Sequence, residues 1–151
     1  YVRNKSYDGV ITLDADGQHD PALIPHFLRT AEEGNYDIVI GTRKLEAGTG
    51  MPLIRLLTNL TTSLVVSLMS GQKIRDSQSG YRYLSSRVIR NIPLTTSRYQ
   101  TESEVLIKAG RSGYTIGEVP ISTIYSGQKS NINKFIDTVR FIGLCIKNMC
   151  R

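Results

Sequence analysis

The feature that most constrains this chain is a strand, helix, strand pattern compressed into residues 9–41. Gly9-Val10-Ile11-Thr12-Leu13 is short, β-branched and apolar on both faces, as a buried strand of an α/β sheet is. Asp20-Pro21 then supplies an N-cap and a proline at the first helical position, opening a helix to about Glu33 that stops at Gly34-Asn35. Asp37-Ile38-Val39-Ile40-Gly41 follows as a second buried strand. Such a unit predicts a mostly parallel sheet, whose ligands bind outside the carboxyl ends of the strands. Asp14 and Asp16 fall at one such end, Thr42-Arg43 at the other.

The rest of the chain continues in the same style. Pro52 opens a helix to about Ser70 with apolar residues at 53, 56, 57, 60, 64 and 68, and its polar positions make it a packed or interfacial helix rather than a membrane span. Asp76-Ser77-Gln78-Ser79-Gly80 is a turn-rich loop, Tyr81–Leu84 a strand and Ser86–Asn91 a short helix ended by Pro93. Thr101–Ser112 reads as a helix stopped at Gly113, and Thr115–Tyr125 as a strand pair or a bent strand broken at Pro120. Asn131–Cys150 has the period of an amphipathic helix, with Lys134, Arg140 and Lys147 beside its apolar stripe, a pattern suited to an anionic membrane surface. At 151 residues the chain fits one domain, and the two cysteines, Cys145 and Cys150, lack the neighbours of a zinc site or a disulfide framework.

Charge is divided unevenly. Residues 1–50 hold 5 Lys and Arg against 8 Asp and Glu, and residues 51–151 hold 14 against 5, so a net −3 precedes a net +9. An acidic part that can hold a cation, joined to a basic part that can hold phosphates, suits a metal-dependent enzyme acting on a phosphorylated ligand. Nucleic acid is disfavoured as a partner, because the basic residues are scattered, tryptophan is absent and no nucleic-acid-binding motif occurs.

Two aspartates at i and i+2 behind a strand can both reach one divalent cation, and Mg²⁺ or Mn²⁺ prefers such oxygen ligands while leaving positions for substrate phosphates. A solvated turn with capping acids is the structural alternative. A haloacid-dehalogenase-like phosphatase is the chemical one, although Gln18 departs from its pattern. His19 can touch a phosphate or bond to backbone, and Thr101-Glu102-Ser103-Glu104 can form a capping box in which Glu104 reaches back to the Thr101 N–H.

Residues 11–21, Ile-Thr-Leu-Asp-Ala-Asp-Gly-Gln-His-Asp-Pro, resemble the metal-binding segment of glycosyltransferase family 2, close to the dolichyl- and polyprenyl-phosphate sugar synthases. Ile38–Arg43, Asp76–Arg82, Thr101–Glu104 and Glu118–Ile121 follow in the family's order and approximate spacing. The resemblance implies one partial GT-A domain over residues 1–151, with the family's first strand and helix expected before Tyr1. It implies a nucleotide-diphosphate sugar donor, UDP- or GDP-linked, and a Mg²⁺ or Mn²⁺ ion held by Asp14, Asp16 and Gln18 in a metal loop at 14–19. It further implies donor or phosphate contacts from Asp14, Arg43, Arg82 and Lys129, and catalytic positions at Glu102 and Asp76. Gly127–Asn131 matches a loop that closes over phosphate. The implied reaction is inverting transfer of the sugar to a polyprenyl phosphate at the cytoplasmic membrane face. A hydroxyl acceptor, which would need Glu102 as its base although Thr101 departs from the family's leading acid beside it, and a non-catalytic remnant are the alternatives.

Overall fold

The computed structural model describes residues 6–15, 17–43, 53–96, 100–122, 143 and 145. Its elements in chain order are β1 (Gly9–Thr12), a 3₁₀ turn (Pro21–Leu23), α1 (Ile24–Glu33), β2 (Ile38–Arg43), α2 (Leu53–Ser70), β3 (Arg82–Ser85), α3 (Ser86–Asn91), α4 (Gln100–Arg111) and β4 (Ile116–Ile121). Asp20 caps the first of the helical segments as expected, its side chain accepting from the Ala22 N–H at 2.9 Å. Apart from Gly143 and Cys145, both helical, the expected helix at 131–150 lies outside the described residues, as do the loop at 127–131, Lys129 included, and Asp16.

Three of the four strands run in one direction, which matches the expected α/β sheet, but the strand order is β1-β3-β2-β4. The βαβ reading puts β1 beside β2, whereas the structure inserts β3 antiparallel between them. Thr12 pairs with Arg82 on one side, and Ile40 pairs with Arg82 on the other. The 9–41 pattern carries the direction of its two strands and not what fills the space between them. The segment at 115–125 also differs from a strand pair. Within its described part it is one strand, β4, paired in parallel with β2 at the sheet's edge, where Pro120 removes no donor that a further strand needs.

Helices cover both faces. Ile38 and Ile40 of β2 point into a core shared with Val66 of α2, Val88 of α3 and Leu106 and Ile107 of α4. Val39, between them, points the other way, into a core with Phe27 and Ala31 of α1, Tyr81 and Val119. Phe27 and Tyr81 stack at 4.3 Å between ring centroids, and the Tyr81 hydroxyl donates to the Asp20 carbonyl at 3.0 Å, fixing the chain that enters α1. α2 and α4 cross closely because Gly110 offers no side chain. A Cβ there would run into the Ser70 backbone.

α2 is inside out for a helix of a water-soluble domain. Its sheltered face carries Asn59, Ser63, Ser67 and Ser70 along with Leu56 and Val66, and the serines bond to the segment that leads to the 76–80 loop. Ser67 Oγ accepts from the Ile74 N–H and Ser63 Oγ from the Ser77 N–H, each at 2.9 Å. Gln72 closes the same segment onto β4, its amide donating to the Tyr114 carbonyl and accepting from the Ile116 N–H.

Candidate active site

The carboxyl ends of β1 and β2, the 76–80 loop and the first turn of α4 meet at one place, and the links between them are side chains. Thr12 Oγ1 at the end of β1 donates to the Gly80 carbonyl at 2.9 Å. Asp14 comes next, its side chain 59% exposed and its carboxylate lying directly against Gly80. A Cβ at Gly80 would fall 2.7 Å from Asp14 Oδ1, so glycine is what lets that carboxylate stand where it does. His19 is buried and accepts the Asp14 N–H at Nδ1, 3.1 Å away. Its role in this structure is to hold the backbone of the 14–19 loop at Asp14.

Arg43 and Asp76 form the rigid part of the site. Arg43 Nε and Nη2 donate to the two Asp76 oxygens at 2.6 and 2.8 Å, and the Arg43 and Gln78 backbone N–H groups add 3.2 and 3.3 Å contacts. Asp76 is fully buried. Expected among the catalytic residues, it has both oxygens on Arg43 in this structure and orients that side chain, which is 11% exposed. Arg82 differs from the sequence reading in a similar way. It is buried, and Nε, Nη1 and Nη2 donate to the carbonyls of Ser79, Glu102 and Ser77, all at 2.7 Å. It thus ties the 76–80 loop to α4 instead of forming an exposed wall for phosphate, and its burial pulls its pKa down from the ordinary arginine value.

Glu102, in the first turn of α4, sits half-buried among these groups. Loss of hydration raises its pKa to about 7, Arg82 and Arg43 pull it down, and Asp14 and Asp76 push it up. Glu102 thus lies within electrostatic reach of Asp14, Arg43, Asp76 and Arg82. A carboxyl raised this far towards neutrality is of the kind that can give or take a proton.

Glu104 does not make the capping box. It is fully buried, and its carboxylate accepts from the backbone N–H and hydroxyl of both Thr95 and Thr96, at 2.6 to 3.0 Å, and from Lys108 Nζ at 2.6 Å. The sequence pattern fitted a local bond, but the returning 95–96 segment offers four donors to the same oxygens. Burial alone would raise its pKa; the bonds from Lys108, Thr96 and Thr95 outweigh that and bring it to about 2. The folded-state value lies below the unfolded one of 4.5, so the carboxylate stabilises the fold above that pH, by about 3 kcal/mol, and the contribution disappears as the pH falls towards 2. Glu104→Gln is expected to lose most of that stability at pH 7 and to flatten the acid limb of the stability curve between pH 4.5 and 2. Urea denaturation at a series of pH values checks it, and an acid limb as steep as that of the parent chain would rule the assignment out.

The described side-chain oxygens of the 14–19 loop, those of the exposed Asp14 carboxylate and the Gln18 amide, are of the type that suits a hard cation such as Mg²⁺ or Mn²⁺ that retains several waters. Among the described residues no cluster of three metal-capable side chains forms, so this part of the loop presents one carboxylate to such an ion.

The profile of Glycosyl transferase family 2 matches residues 2–92. Among curated proteins, the chain is 36% identical over 121 residues to an uncharacterised protein of Methanocaldococcus jannaschii, covering 78% of the chain and 50% of that protein. It is 37% identical over 123 residues to the UDP-N-acetylglucosamine–dolichyl-phosphate N-acetylglucosaminyltransferase of Methanococcus voltae, covering 79% of the chain and 49% of the relative. To the undecaprenyl-phosphate mannosyltransferase of Micrococcus luteus it is 30% identical over 125 residues, covering 80% and 51%. The chain spans about half the length of these relatives. The match to the family profile overlaps β1, β2 and the 76–80 loop that build the site, and with it the phosphatase alternative gives way: the chain belongs to glycosyl transferase family 2.

Proposed function

We propose that this chain is the catalytic part of a metal-dependent glycosyltransferase that moves a sugar from a nucleotide-diphosphate donor to a polyprenyl phosphate. The observation that carries the reading is the meeting of Asp14, Arg43, Asp76, Arg82 and Glu102 at the carboxyl ends of β1 and β2, in a family whose relatives bear names of polyprenyl-phosphate sugar transferases. Breaking the sugar–diphosphate bond builds negative charge on the leaving group. A bound divalent cation would supply charge stabilisation there. Asp14 and Gln18, with Asp16 beyond the described residues, are its proposed ligands. Arg43 offers the leaving diphosphate a guanidinium already oriented by Asp76 and therefore with little reorganisation to undergo. Arg82 keeps Ser77, Ser79 and Glu102 in register, and Lys129 is proposed as a further phosphate contact. Contact with the membrane that holds the acceptor, at its cytoplasmic face, belongs to the same reading.

A polyprenyl phosphate is already an anion and needs no base to make it a nucleophile. With that acceptor, the protonated form of Glu102 reduces repulsion, and Glu102→Gln is expected to lose less than about tenfold in rate. A hydroxyl acceptor is the second reading, favoured by the value near 7 for Glu102. It requires the deprotonated form, so the rate would rise as pH passes upward through about 7, and Glu102→Gln would lose several hundredfold, on the order of a general base's contribution. A pH–rate profile of the enzyme and of this variant separates the two. Donor binding is tested by calorimetric titration of UDP and GDP with and without Mn²⁺. Binding that needs the metal supports the reading, and metal affinity without nucleotide binding would assign the chain to the remnant alternative.

A further inference from the structure

Ser63 lies in the middle of α2 and is 3% exposed. Its hydroxyl makes both of its contacts with one residue, accepting from the Ser77 N–H at 2.9 Å and donating to Ser77 Oγ at 3.2 Å. Ser77 is fully buried, and its carbonyl accepts from Arg82 Nη2 at 2.7 Å. A buried stretch of loop has no ladder to satisfy its backbone, so its N–H groups depend on partners from elsewhere in the fold. The Ser77 N–H also belongs to the planar peptide unit whose other end is the Asp76 Cα. Whatever holds that N–H therefore sets the direction from which the Asp76 carboxylate reaches Arg43 Nε and Nη2.

We propose that Ser63 is a positioning residue, which fixes the peptide from which Asp76 projects and, through Asp76, the place of the Arg43 guanidinium in the site. The other serines of the same helix face give the comparison. Ser67 Oγ accepts from the Ile74 N–H and Ser70 Oγ from the Gln72 N–H, two and four residues ahead of Asp76. Of the three, Ser63 bonds to the peptide that adjoins a site residue. A helix outside the site thus reaches the arginine in two steps, and for its effect on ligand the inference rests on the diphosphate role proposed above for Arg43.

The test compares the full chain with Ser63→Ala and with Ser70→Ala, which removes an equally buried hydroxyl. Each variant is expected to melt a few degrees below the parent. Proton exchange at Arg43 Nε–H, followed by NMR and assigned by the resonance that Arg43→Met lacks, reports on the bond to Asp76 without any ligand. The expected result is exchange at least about fivefold faster in Ser63→Ala and within about twofold of the parent in Ser70→Ala. An unchanged rate in Ser63→Ala, or an equal acceleration in both variants, would overturn the proposal. Calorimetric titration of UDP and GDP with Mn²⁺ adds a second reading. Ser63→Ala should weaken binding at least about threefold in the parent and by less than about 1.5-fold when Arg43→Met is already present, because its effect passes through Arg43. Equal losses in the two backgrounds would overturn it as well. A parent chain that binds neither nucleotide would count against the proposed reaction, and exchange at Arg43 would still decide the role of Ser63.

Discussion

Asp76→Ala is expected to lower the stability of the fold by about 3–5 kcal/mol, because it removes the buried carboxylate that both Nε and Nη2 of the largely buried Arg43 guanidinium bond to. For a chain of this size that corresponds to a fall of roughly 10–15 °C in melting temperature. The effect should exceed that of Asp76→Asn, whose amide oxygen can still accept from Arg43 or from the Gln78 N–H. It should also shrink when Arg43→Met is added, because removing both partners spares the cost of the orphaned charge. Thermal denaturation of the three variants decides the matter. An Asp76→Ala chain within about 1 kcal/mol of the parent, the cost of an ordinary substitution, would mean that the pair does not hold the site together. The same variant should weaken diphosphate binding, since Arg43 would lose the group that orients it.

Asp14→Ala carries the largest expected effect on binding. Its side chain stands mostly in solvent and accepts no hydrogen bond shown among the described residues, so its removal should change stability by no more than about 0.5 kcal/mol. The proposed metal would lose a carboxylate, an effect on the order of 2–5 kcal/mol, or at least about thirtyfold in metal-dependent affinity for UDP or GDP. Calorimetry in the presence of Mn²⁺ reads that difference directly. A variant that folds normally and binds nucleotide with the parent's metal dependence would remove Asp14 from the metal site.

The parts of this molecule that sequence makes legible are those whose chemistry is local. A β-branched run, Asp20-Pro21 and the acids behind Leu13 each act within a few residues, and the β1 and β2 ends fall where such patterns put them. What the sequence leaves hidden depends on partners distant along the chain. Glu104 fits a capping box by spacing, yet its oxygens go to Thr95 and Thr96, because a segment with its own donors folds back over α4. Arg82 carries a charge suited to phosphate, yet three carbonyls that only the folded loop brings together use its nitrogens. Asp76 reads as a loop acid until Arg43 arrives from the end of β2. A periodicity count on α2 finds its apolar stripe and makes the helix packed or interfacial without saying which face turns inward; the serines, which have partners at Ile74 and Ser77, take much of the inside.

The insertion of β3 between β1 and β2 bears on the order in which the chain acquires structure. β1 has no other neighbour among the described strands, so its ladder waits until residues 82–85 have been synthesised and brought back across the intervening helices. A distant pairing of this kind carries its loop-closure entropy before any contact offsets it, which slows the formation of the β1–β3 ladder. The amides of β1 should therefore gain protection late in pulsed hydrogen exchange, after those of α1. The acidic loop behind β1, which begins the site in sequence, would then be among the last parts of the site to take its place.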